Sequence, residues 1–231
     1  MAMTDTPLSR SIRSVRQTIW SSALYRRTRR IAADLTRPVR CIELALIFRQ
    51  DLTLPINVSD ADVKIEIEQA SSEDVEQAAS LHPVGSRLEI FRREIFRWRL
   101  ENGCGCFIAR AGSELAAYNW LRLRPGVDDG DMISLADREA FHFDSYVDEN
   151  WRGHRIEAAL SSRMRLFEKQ RGYTEAYTKI STFNRKSLKS SRCMGWKPTG
   201  LVLRVRGSRR GGWPIITLWG SAHPLMRLRR K

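Results

Sequence analysis

The sequence predicts an α/β domain with basic extensions at both ends. Stretches in which apolar and polar residues alternate, as at 63–67, are separated by stretches in which apolar residues recur at helical spacing, as at 86–101. The chain has 231 residues, of which 42% are hydrophobic, so it is long enough to bury a substantial core. These observations favour one modest α/β domain over several small ones.

The first half of the chain predicts strands and helices in irregular order. The expected elements are an added strand at 39–48, a half-buried strand at 63–67, helices at 71–81 and 86–101, strands at 104–110 and 114–124, and a loop at 125–130. Ser71 offers an N-cap to the first helix, and Pro83 follows its end. The Ala-Gly-Ser sequence at 111–113 separates two strand patterns, which is typical of a β-hairpin.

The second half begins with a strand that leads through a sharp turn into a helix. The strand is expected at 139–147, and the helix at 155–170 ends before Gly172. A strand at 174–181, a helix at 184–194 and a final pair of strands at 196–206 and 213–219 follow. The first turn of a helix has unpaired N–H groups and the positive end of the helix dipole, so this strand–turn–helix unit predicts a phosphate-binding site.

Two motifs in this half carry a resemblance to a known family. They are a strand that ends in Val147 before Trp-Arg152-Gly153, and Asn184-x-x-Ser187 followed by Met194-Gly195-Trp196. Over about residues 63–220 the chain resembles the GNAT superfamily of acyl-CoA N-acyltransferases. The resemblance implies a mixed, mostly antiparallel central sheet flanked by helices. The residue pattern of this chain adds a helix and a strand at the N-terminus. It also implies transfer of an acyl group from acetyl-CoA, or a longer acyl-CoA, to a primary amine.

The resemblance further implies which residues contact the acyl-CoA. They are Tyr146, Val147, Arg152, Gly153, His154, Arg155, Ile156, Glu157, Asn184 and Ser187. Two of these positions depart from the family pattern, because small residues are usual where this chain has Arg155 and Glu157. A Glu that faced the pyrophosphate would repel it, whereas Arg155 can pair with a phosphate.

Amine acylation needs a group that removes a proton from the amine. Glu139, thirteen residues before Arg152, matches the spacing of the strand carboxylate that is the base in the superfamily's histone acetyltransferases, and it is the first candidate. His142 and Asp144, two residues apart on one strand face, form the rival acid–base pair. Ser191 stands where the family often has a Tyr acid, and its hydroxyl can donate a hydrogen bond to the leaving sulfur. The alternatives are that Glu139 is only a strand-end carboxylate in solvent, and that His142 is only hydrogen-bonded and has no catalytic role.

The net charge of +14 is concentrated at the two ends of the chain. Residues 1–30 have seven Arg and one Asp, and residues 204–231 have seven Arg, one Lys and no acidic residue. The segment between them has 25 basic and 25 acidic residues. We therefore expect a basic N-terminal extension at 1–60, a GNAT-like domain at 61–220 and a basic tail at 221–231.

Residues 9–30 predict an amphipathic helix. Ile12, Val15 and Ile19 recur at helical spacing, and Arg residues occupy the other faces. Such a helix can lie on an anionic membrane surface or on another acidic partner. Packing against the domain and a solvated arm are the alternatives.

The sequence also argues against several classes of protein. The cysteines at positions 41, 104, 106 and 193 have neither CxxC spacing nor a nearby His, so we expect no metal. No apolar run approaches the roughly 18 residues of a membrane span, and the N-terminus lacks the pattern of a secretory signal. We expect a cytoplasmic location, at the membrane surface if residues 9–30 bind lipid.

Three functions remain open from the sequence. The first is an N-acyltransferase that acts on a small or lipid-linked amine. The second is a GNAT-fold protein that binds an acyl carrier protein or another partner without CoA-dependent catalysis, which Arg155 and Glu157 favour. The third is an acyltransferase for nucleic-acid-linked amines. This is the least favoured, because the basic ends lack interleaved aromatic residues and a helix-turn-helix pattern.

Overall fold

The computed structural model describes residues 41–81, 87–128, 131–206 and 215–225. The amphipathic helix predicted at 9–30, the turn at 207–212 and most of the basic C-terminal tail lie outside the described residues.

The described chain folds into helices and strands in the following order. These are β1 (Cys41–Asp51), β2 (Glu66–Gln69), α1 (Ser72–Ser80), α2 (Arg87–Glu101), β3 (Gly105–Ala111), β4 (Glu114–Arg122), β5 (Gly126–Asp128), β6 (Asp131–Ile133), β7 (Glu139–Val147), a 3₁₀ turn (Glu149–Trp151), α3 (Ile156–Gln170), β8 (Glu175–Ser181), α4 (Arg185–Cys193), β9 (Lys197–Arg206) and β10 (Ile215–Gly220). The predicted bounds agree to within a few residues, with two exceptions. Only the end of the strand predicted at 63–67 is a strand, and the loop predicted at 125–130 is largely the hairpin of β5 and β6.

The strands form an eight-stranded sheet in the order β10-β9-β1-β8-β7-β4-β3-β2 within the described residues. The β7 and β8 strands are parallel, whereas β2 with β3, β3 with β4, β4 with β7, β1 with β8, and β9 with β10 are antiparallel. The mixed, mostly antiparallel sheet expected from the resemblance is therefore confirmed.

The added strand, β1, lies inside the sheet between β8 and β9. Its pairing with β8 runs from Ala45 opposite Ser181 to Asp51 opposite Glu175. Ile47 and Phe48 are adjacent in sequence and both fully buried, since the sheet is covered on both faces at this point. A nearly continuous apolar run is typical of such a central strand. Ala45, Ile47 and Phe48 of the added strand thus belong to the hydrophobic core.

The two faces of the sheet are covered by different helices. One hydrophobic cluster, which includes Phe96 of α2 and Trp120 of β4, packs α1 and α2 against the sheet. The other includes Leu160 of α3, Leu121 of β4 and Trp196 after α4. None of the described helices is long and apolar enough to span a membrane.

Candidate functional site

The parallel strands β7 and β8 separate halfway along their length. Their pairing begins at Glu139 opposite Glu175 and ends at His142 opposite Thr178. Beyond this point a cavity of about 220 Å³ lies between the strands, and we call it the β7–β8 cavity. Its lining comprises His142–Ser145 and Thr178–Ser181 of the strands, together with Asn119, Glu157, Ser161, Asn184, Ser187, Ser191, Met194 and Trp196.

A β-bulge in β7 borders this cavity. Tyr118 pairs with Tyr146, but Trp120 pairs with Phe143, so Asn119 faces two residues of β7. Asp144, one of those two, has a left-handed backbone with a φ of 49°. A bulge removes backbone groups from the strand ladder. One extra residue of β7 is therefore left out of the regular pairing with β4 beside the cavity.

The bulge also changes which side chains share a face of β7. Strict alternation predicts that His142 and Asp144 lie on the same face. The structure instead directs His142 toward Glu168 of α3, and Asp144 toward Arg99 of α2. The expectation that the two form an acid–base pair is wrong for this geometric reason. Both residues nevertheless line the β7–β8 cavity.

His142 forms a buried pair with Glu168. The His142 Nε2 atom lies 2.5 Å from the Glu168 Oε1 atom, and the residues are 3% and 0% exposed. Trp196 packs edge-on against the imidazole, with ring centroids 5.3 Å apart. The Nδ1 atom of His142 is buried and has no hydrogen-bond partner among the residues that the structure describes.

Asp144 is held by a cation that lies in an aromatic cluster. The Arg99 side chain is fully buried, and its Nη1 donates a 2.5 Å hydrogen bond to the Asp144 carboxylate. The guanidinium carbon of Arg99 lies 4.9–5.1 Å from the ring centres of Phe96, Trp120 and Phe143. This arrangement anchors the bulge through the Arg99–Asp144 ion pair.

Glu139 lies away from the cavity, at the start of β7. Its carboxylate accepts a 2.7 Å hydrogen bond from the Ala136 N–H and lies 2.7 Å from His223 Nε2. Glu139 is absent from the described residues that line the β7–β8 cavity, because the strands separate only after His142. The structure therefore does not bring this predicted base together with the other candidates.

A second cavity of about 970 Å³ lies at the N-terminus of α3, and we call it the α3 cavity. Its lining includes Tyr146, Val147, Arg152, Gly153, Arg155, Ile156, Glu157, Asn184, Lys186, Ser187 and Lys189. The structure thus brings together nine of the ten residues predicted to contact the cofactor. The tenth, His154, is not among the described residues that line it, and its carbonyl accepts a hydrogen bond from Asp62.

Arg152 is positioned at the edge of the α3 cavity. Its Nε donates to the Val147 carbonyl at 3.2 Å, and its Nη1 donates to Glu149 at 2.9 Å. The guanidinium also lies over the Tyr146 ring, 5.6 Å from the ring centre. Gly153 follows with a φ of 91°, a conformation that L side chains rarely adopt.

Arg155 takes the left-handed conformation at the position where the resembling family usually has a small residue. Its φ is 59°, and as the N-cap residue of α3 it makes no side-chain capping hydrogen bond within the described structure. Its guanidinium lies 3.8 Å from Asp62 at the surface. The first turn of α3 is therefore without a side-chain cap, and its N–H groups suit an anion.

Glu157 lines both cavities. Burial raises the pKa of its carboxyl group above the usual 4.5, and a hydrogen bond from Ser190 partly opposes this shift. A raised pKa favours the neutral acid, which does not repel a phosphate as a carboxylate would. The side chain nonetheless occupies space that a smaller residue would leave open.

The α4 helix closes the other side of both cavities. Asn184 caps it, since its Oδ1 accepts a 3.1 Å hydrogen bond from the Ser187 N–H, and both residues line the two cavities. Ser191 is buried and lines the β7–β8 cavity. Its carbonyl accepts a hydrogen bond from the Trp196 N–H, which fixes the start of the chain after α4.

Two residues of the site were not predicted from the sequence. Asn119 is a polar residue within the apolar run of β4, and its buried Oδ1 has no hydrogen-bond partner in the described structure. Glu168 follows Leu160 and Met164 at four-residue spacing on the buried face of α3. In both cases the available signal is a polar side chain in an apolar pattern. In the described part of the chain, no group of three His, Cys, Asp or Glu residues could hold a metal.

Comparisons with solved structures identify the fold. No protein-family model matches the sequence, and no curated protein matches it. Among solved structures, the tandem GNAT protein from the clavulanic acid biosynthesis pathway gives a TM-score of 0.53 at 13% identity, covering 79% of this chain and 58% of that one. A GNAT-family putative acetyltransferase from Novosphingobium aromaticivorans gives 0.52 at 17% identity, covering 73% and 65%.

A Drosophila protein gives a TM-score of 0.53 at 13% identity, covering 77% of this chain and 55% of that one. This chain therefore has the GNAT fold, and it spans less than two thirds of the length of these three structures.

Proposed function

We propose that this protein is an N-acyltransferase that moves an acyl group from an acyl-CoA to a primary amine. One observation carries the proposal: β7 and β8 separate beside His142, and the resulting cavity adjoins the uncapped N-terminus of α3. This arrangement offers a place for a thioester between two strands and a place for phosphates at a helix end. The likeness of the fold to GNAT acetyltransferases supports the same assignment.

The residues of the α3 cavity suit the phosphates of an acyl-CoA. The N–H groups of the first turn of α3 are without a side-chain cap, while Arg152, Lys186 and Lys189 supply positive charge. Glu157, in its neutral form, is compatible with a nearby phosphate. A cavity of about 970 Å³ has room for the diphosphate and pantetheine parts of the molecule.

His142 is the base in this proposal. Its unpartnered Nδ1 takes the proton from the amine as the amine nitrogen attacks the thioester carbon. In this proposal, the backbone N–H of the residue left unpaired by the bulge stabilises the negative charge on the carbonyl oxygen. The carbon–sulfur bond then breaks, and the leaving thiolate takes up the proton that His142 holds. The Ser191 hydroxyl is placed to donate a hydrogen bond to the sulfur.

The acceptor and the location are part of the proposal. We infer a small or lipid-linked amine, since the amphipathic pattern at 9–30 would hold the enzyme on an anionic membrane surface from the cytoplasmic side. An acidic protein surface is the other partner that this pattern suits.

A second function is favoured by Arg155 and Glu157. These residues replace the small ones that let the backbone approach a pyrophosphate, so the α3 end suits CoA less well than a typical GNAT turn does. An acyl carrier protein presents a phosphopantetheine arm without the adenosine nucleotide part of CoA. The protein would then bind the acyl carrier protein, with basic residues facing an acidic partner.

The test combines binding with turnover. Calorimetry with CoA, acetyl-CoA and palmitoyl-CoA measures donor binding, and thiol release in the presence of a panel of primary amines measures transfer. We expect His142→Gln to lower the transfer rate by about 10²- to 10⁴-fold with CoA affinity retained. Glu139→Gln is the matched control, and we expect it to turn over nearly as the unmodified protein does.

Two outcomes would redirect the assignment. Loss of transfer in Glu139→Gln with normal turnover in His142→Gln would return the role of base to the carboxylate. Binding of an acyl carrier protein, with no measurable binding of any of the three CoA compounds, would favour the second function.

A further inference from the structure

We propose that Glu168 is a positioning residue that fixes the tautomer and orientation of His142. The inference rests on the proposed role of His142 as the base. It concerns the buried pair formed by β7 and α3, which no motif of the resembling family supplied. Glu168 acts through the imidazole and does not touch the substrate.

The direction of the hydrogen bond to Glu168 sets the tautomer of His142. An ionised carboxylate can only accept, so the Nε2 atom of His142 must carry the hydrogen that it donates to Glu168 Oε1 at 2.5 Å. In the neutral imidazole the other nitrogen, Nδ1, then has a free lone pair. The pair thus selects the tautomer in which Nδ1 is the basic atom.

The Nδ1 atom of His142 is the nitrogen left to act as the base. It is buried and has no hydrogen-bond partner among the described residues, while the His142 side chain lines the β7–β8 cavity. A buried acceptor without a partner costs free energy. The N–H of an amine bound in the cavity would satisfy it, and this is the proton that the reaction removes.

A buried cation of α3 lies near Glu168. Arg165, three residues before Glu168 and 1% exposed, is attracted to the Glu168 carboxylate, and burial lowers its pKa. Its Nε donates to the Ser161 carbonyl at 3.1 Å, and its Nη1 donates to the Met194 carbonyl at 3.2 Å. A buried group of opposite charge on the same helix therefore interacts electrostatically with the Glu168 carboxylate.

The remaining charged groups around the cavity are distributed over three elements. They are Asp144 of β7, Glu157 of α3 and Lys179 of β8. Asp144 is paired with Arg99, Lys179 lies 3.2 Å from Glu43, and burial favours the neutral form of Glu157. Asp144 and Lys179 are therefore compensated by opposite charges. Glu168 is the carboxylate in hydrogen-bond contact with His142, so it is the group that stabilises the imidazolium formed during proton transfer.

The experiment compares the full-length protein with Glu168→Gln and Glu168→Asp. The chain has four His residues, so two-dimensional ¹⁵N spectra of the imidazoles are simple, and comparison with His142→Gln assigns the His142 signals. We expect the unmodified protein to have hydrogen on Nε2 and a bare Nδ1. The amide of Glu168→Gln can both donate and accept, so we expect the tautomer signals to shift or to become mixed.

Kinetics supply the second readout. We expect Glu168→Gln to lower kcat by about 10- to 1000-fold, because a misdirected imidazole loses its base function, with the KM for acyl-CoA unchanged. The acidic limb of the rate–pH profile should move to lower pH, since the amide no longer stabilises a protonated imidazole. Glu168→Asp keeps the carboxylate on a shorter side chain and should recover part of the rate.

The outcomes separate the positioning role from the proposed function. A changed tautomer in Glu168→Gln, with no acyl transfer by any form of the protein, would support the positioning role and reject the proposed function. Unchanged ¹⁵N signals together with unchanged kcat and pH profile would overturn the positioning role. If Glu168→Gln fails to fold, Glu168→Asp decides: an unaltered tautomer pattern and full kcat would show that the carboxylate geometry is unimportant.

Discussion

The Ser190 hydroxyl donates a 3.2 Å hydrogen bond to the Glu157 carboxyl group and so joins α4 to the first turn of α3. Glu157 lies where the two cavities meet, and it is the residue by which this site differs most from the family pattern. Its burial raises its pKa, so its proton is held at pH values at which a solvated Glu is ionised. Two predictions follow from this placement.

The first prediction concerns stability. Because the pKa of Glu157 is raised in the folded state, the native protein binds its proton more tightly than the unfolded chain does. The stabilising contribution is fully present below pH 4.5 and declines as the pH rises toward the folded-state pKa. Glu157→Gln removes this titration, so we expect its free energy of unfolding to depend less on pH across that window. Urea denaturation between pH 4 and pH 8 measures the difference, and parallel curves for the two proteins would contradict the prediction.

The second prediction concerns CoA affinity. Glu157→Ala restores a small side chain at the end of α3, removes a group that can ionise and enlarges the passage between the cavities. We expect CoA to bind at least as tightly as to the unmodified protein, with the largest gain at alkaline pH, where any ionised Glu157 repels phosphate. Calorimetry at pH 6 and pH 9 tests this. Weaker binding at both pH values would mean that Glu157 itself contacts the ligand favourably.

The third prediction concerns Arg152. Removal of its guanidinium in Arg152→Ala should weaken CoA binding by about 1–2 kcal/mol, a moderate loss because a half-exposed charge is partly screened by water. Arg163→Ala is the matched control, since Arg163 is exposed on α3 and lines neither of the described cavities. Equal CoA affinities for the two variants would remove Arg152 from the phosphate site.

The fourth prediction concerns the start of α1. Ser71 and Asp74 form reciprocal hydrogen bonds, with Asp74 N–H donating to Ser71 Oγ at 3.2 Å and Ser71 N–H donating to Asp74 at 2.8 Å. Ser71→Ala should lower the free energy of unfolding by about 1 kcal/mol at neutral pH. Hydrogen bonds from Ser71, and further contact with Arg110, lower the pKa of Asp74 below its usual 3.8.

The sign of the accompanying pH dependence follows from that lowered pKa. The stabilising contribution of Asp74 is present above pH 3.8 and is lost as the pH falls through the folded-state pKa. The free energies of unfolding of Ser71→Ala and of the unmodified protein should therefore differ less in acid than at neutral pH. A difference that stays constant down to pH 2 would show that the cap does not depend on the ionised carboxylate.

Most helices, strands and turns were predictable because the sequence patterns that indicate them are local. The turn after Val147, the cap at Asn184 and the hairpin at 111–113 each depend on a few neighbouring residues, and the structure has all three. The place of β1 in the sheet was not predictable in this way. Its apolar run indicates burial on both faces, but its neighbours β8 and β9 follow it by more than 120 residues in the chain.

The candidate base was the least predictable part of the site. Glu139 was favoured by a spacing, but spacing does not show where two parallel strands separate. The bulge at Asp144 reverses the face on which that side chain lies, and nothing in the alternation of residues 139–147 indicates it. Glu168 meets His142 only because α3 packs across the sheet, a tertiary relationship that no local pattern encodes.

The fifth prediction concerns the basic segment at 9–30. We predict that it forms a helix that binds anionic vesicles, because Arg residues accompany an apolar stripe in the sequence. Arg10→Glu, Arg13→Glu and Arg16→Glu combined should greatly reduce co-sedimentation of the full-length protein with phosphatidylserine vesicles. Binding should also weaken as salt rises, since the Debye length shrinks from about 10 Å at 0.1 M to about 3 Å at 1 M.

A matched triple variant separates the helix from charge alone. Arg227→Glu, Arg229→Glu and Arg230→Glu produce the same change of net charge at the other end of the chain. If the amphipathic segment at 9–30 is the membrane contact, this second variant should retain most of the binding, because it leaves the apolar stripe and its flanking Arg residues intact. If both triple variants lose vesicle binding equally, the attraction to the membrane depends on the total charge of the protein. If the variant at 10, 13 and 16 binds vesicles as the unmodified protein does, and its binding is insensitive to salt, the segment at 9–30 does not contact the membrane.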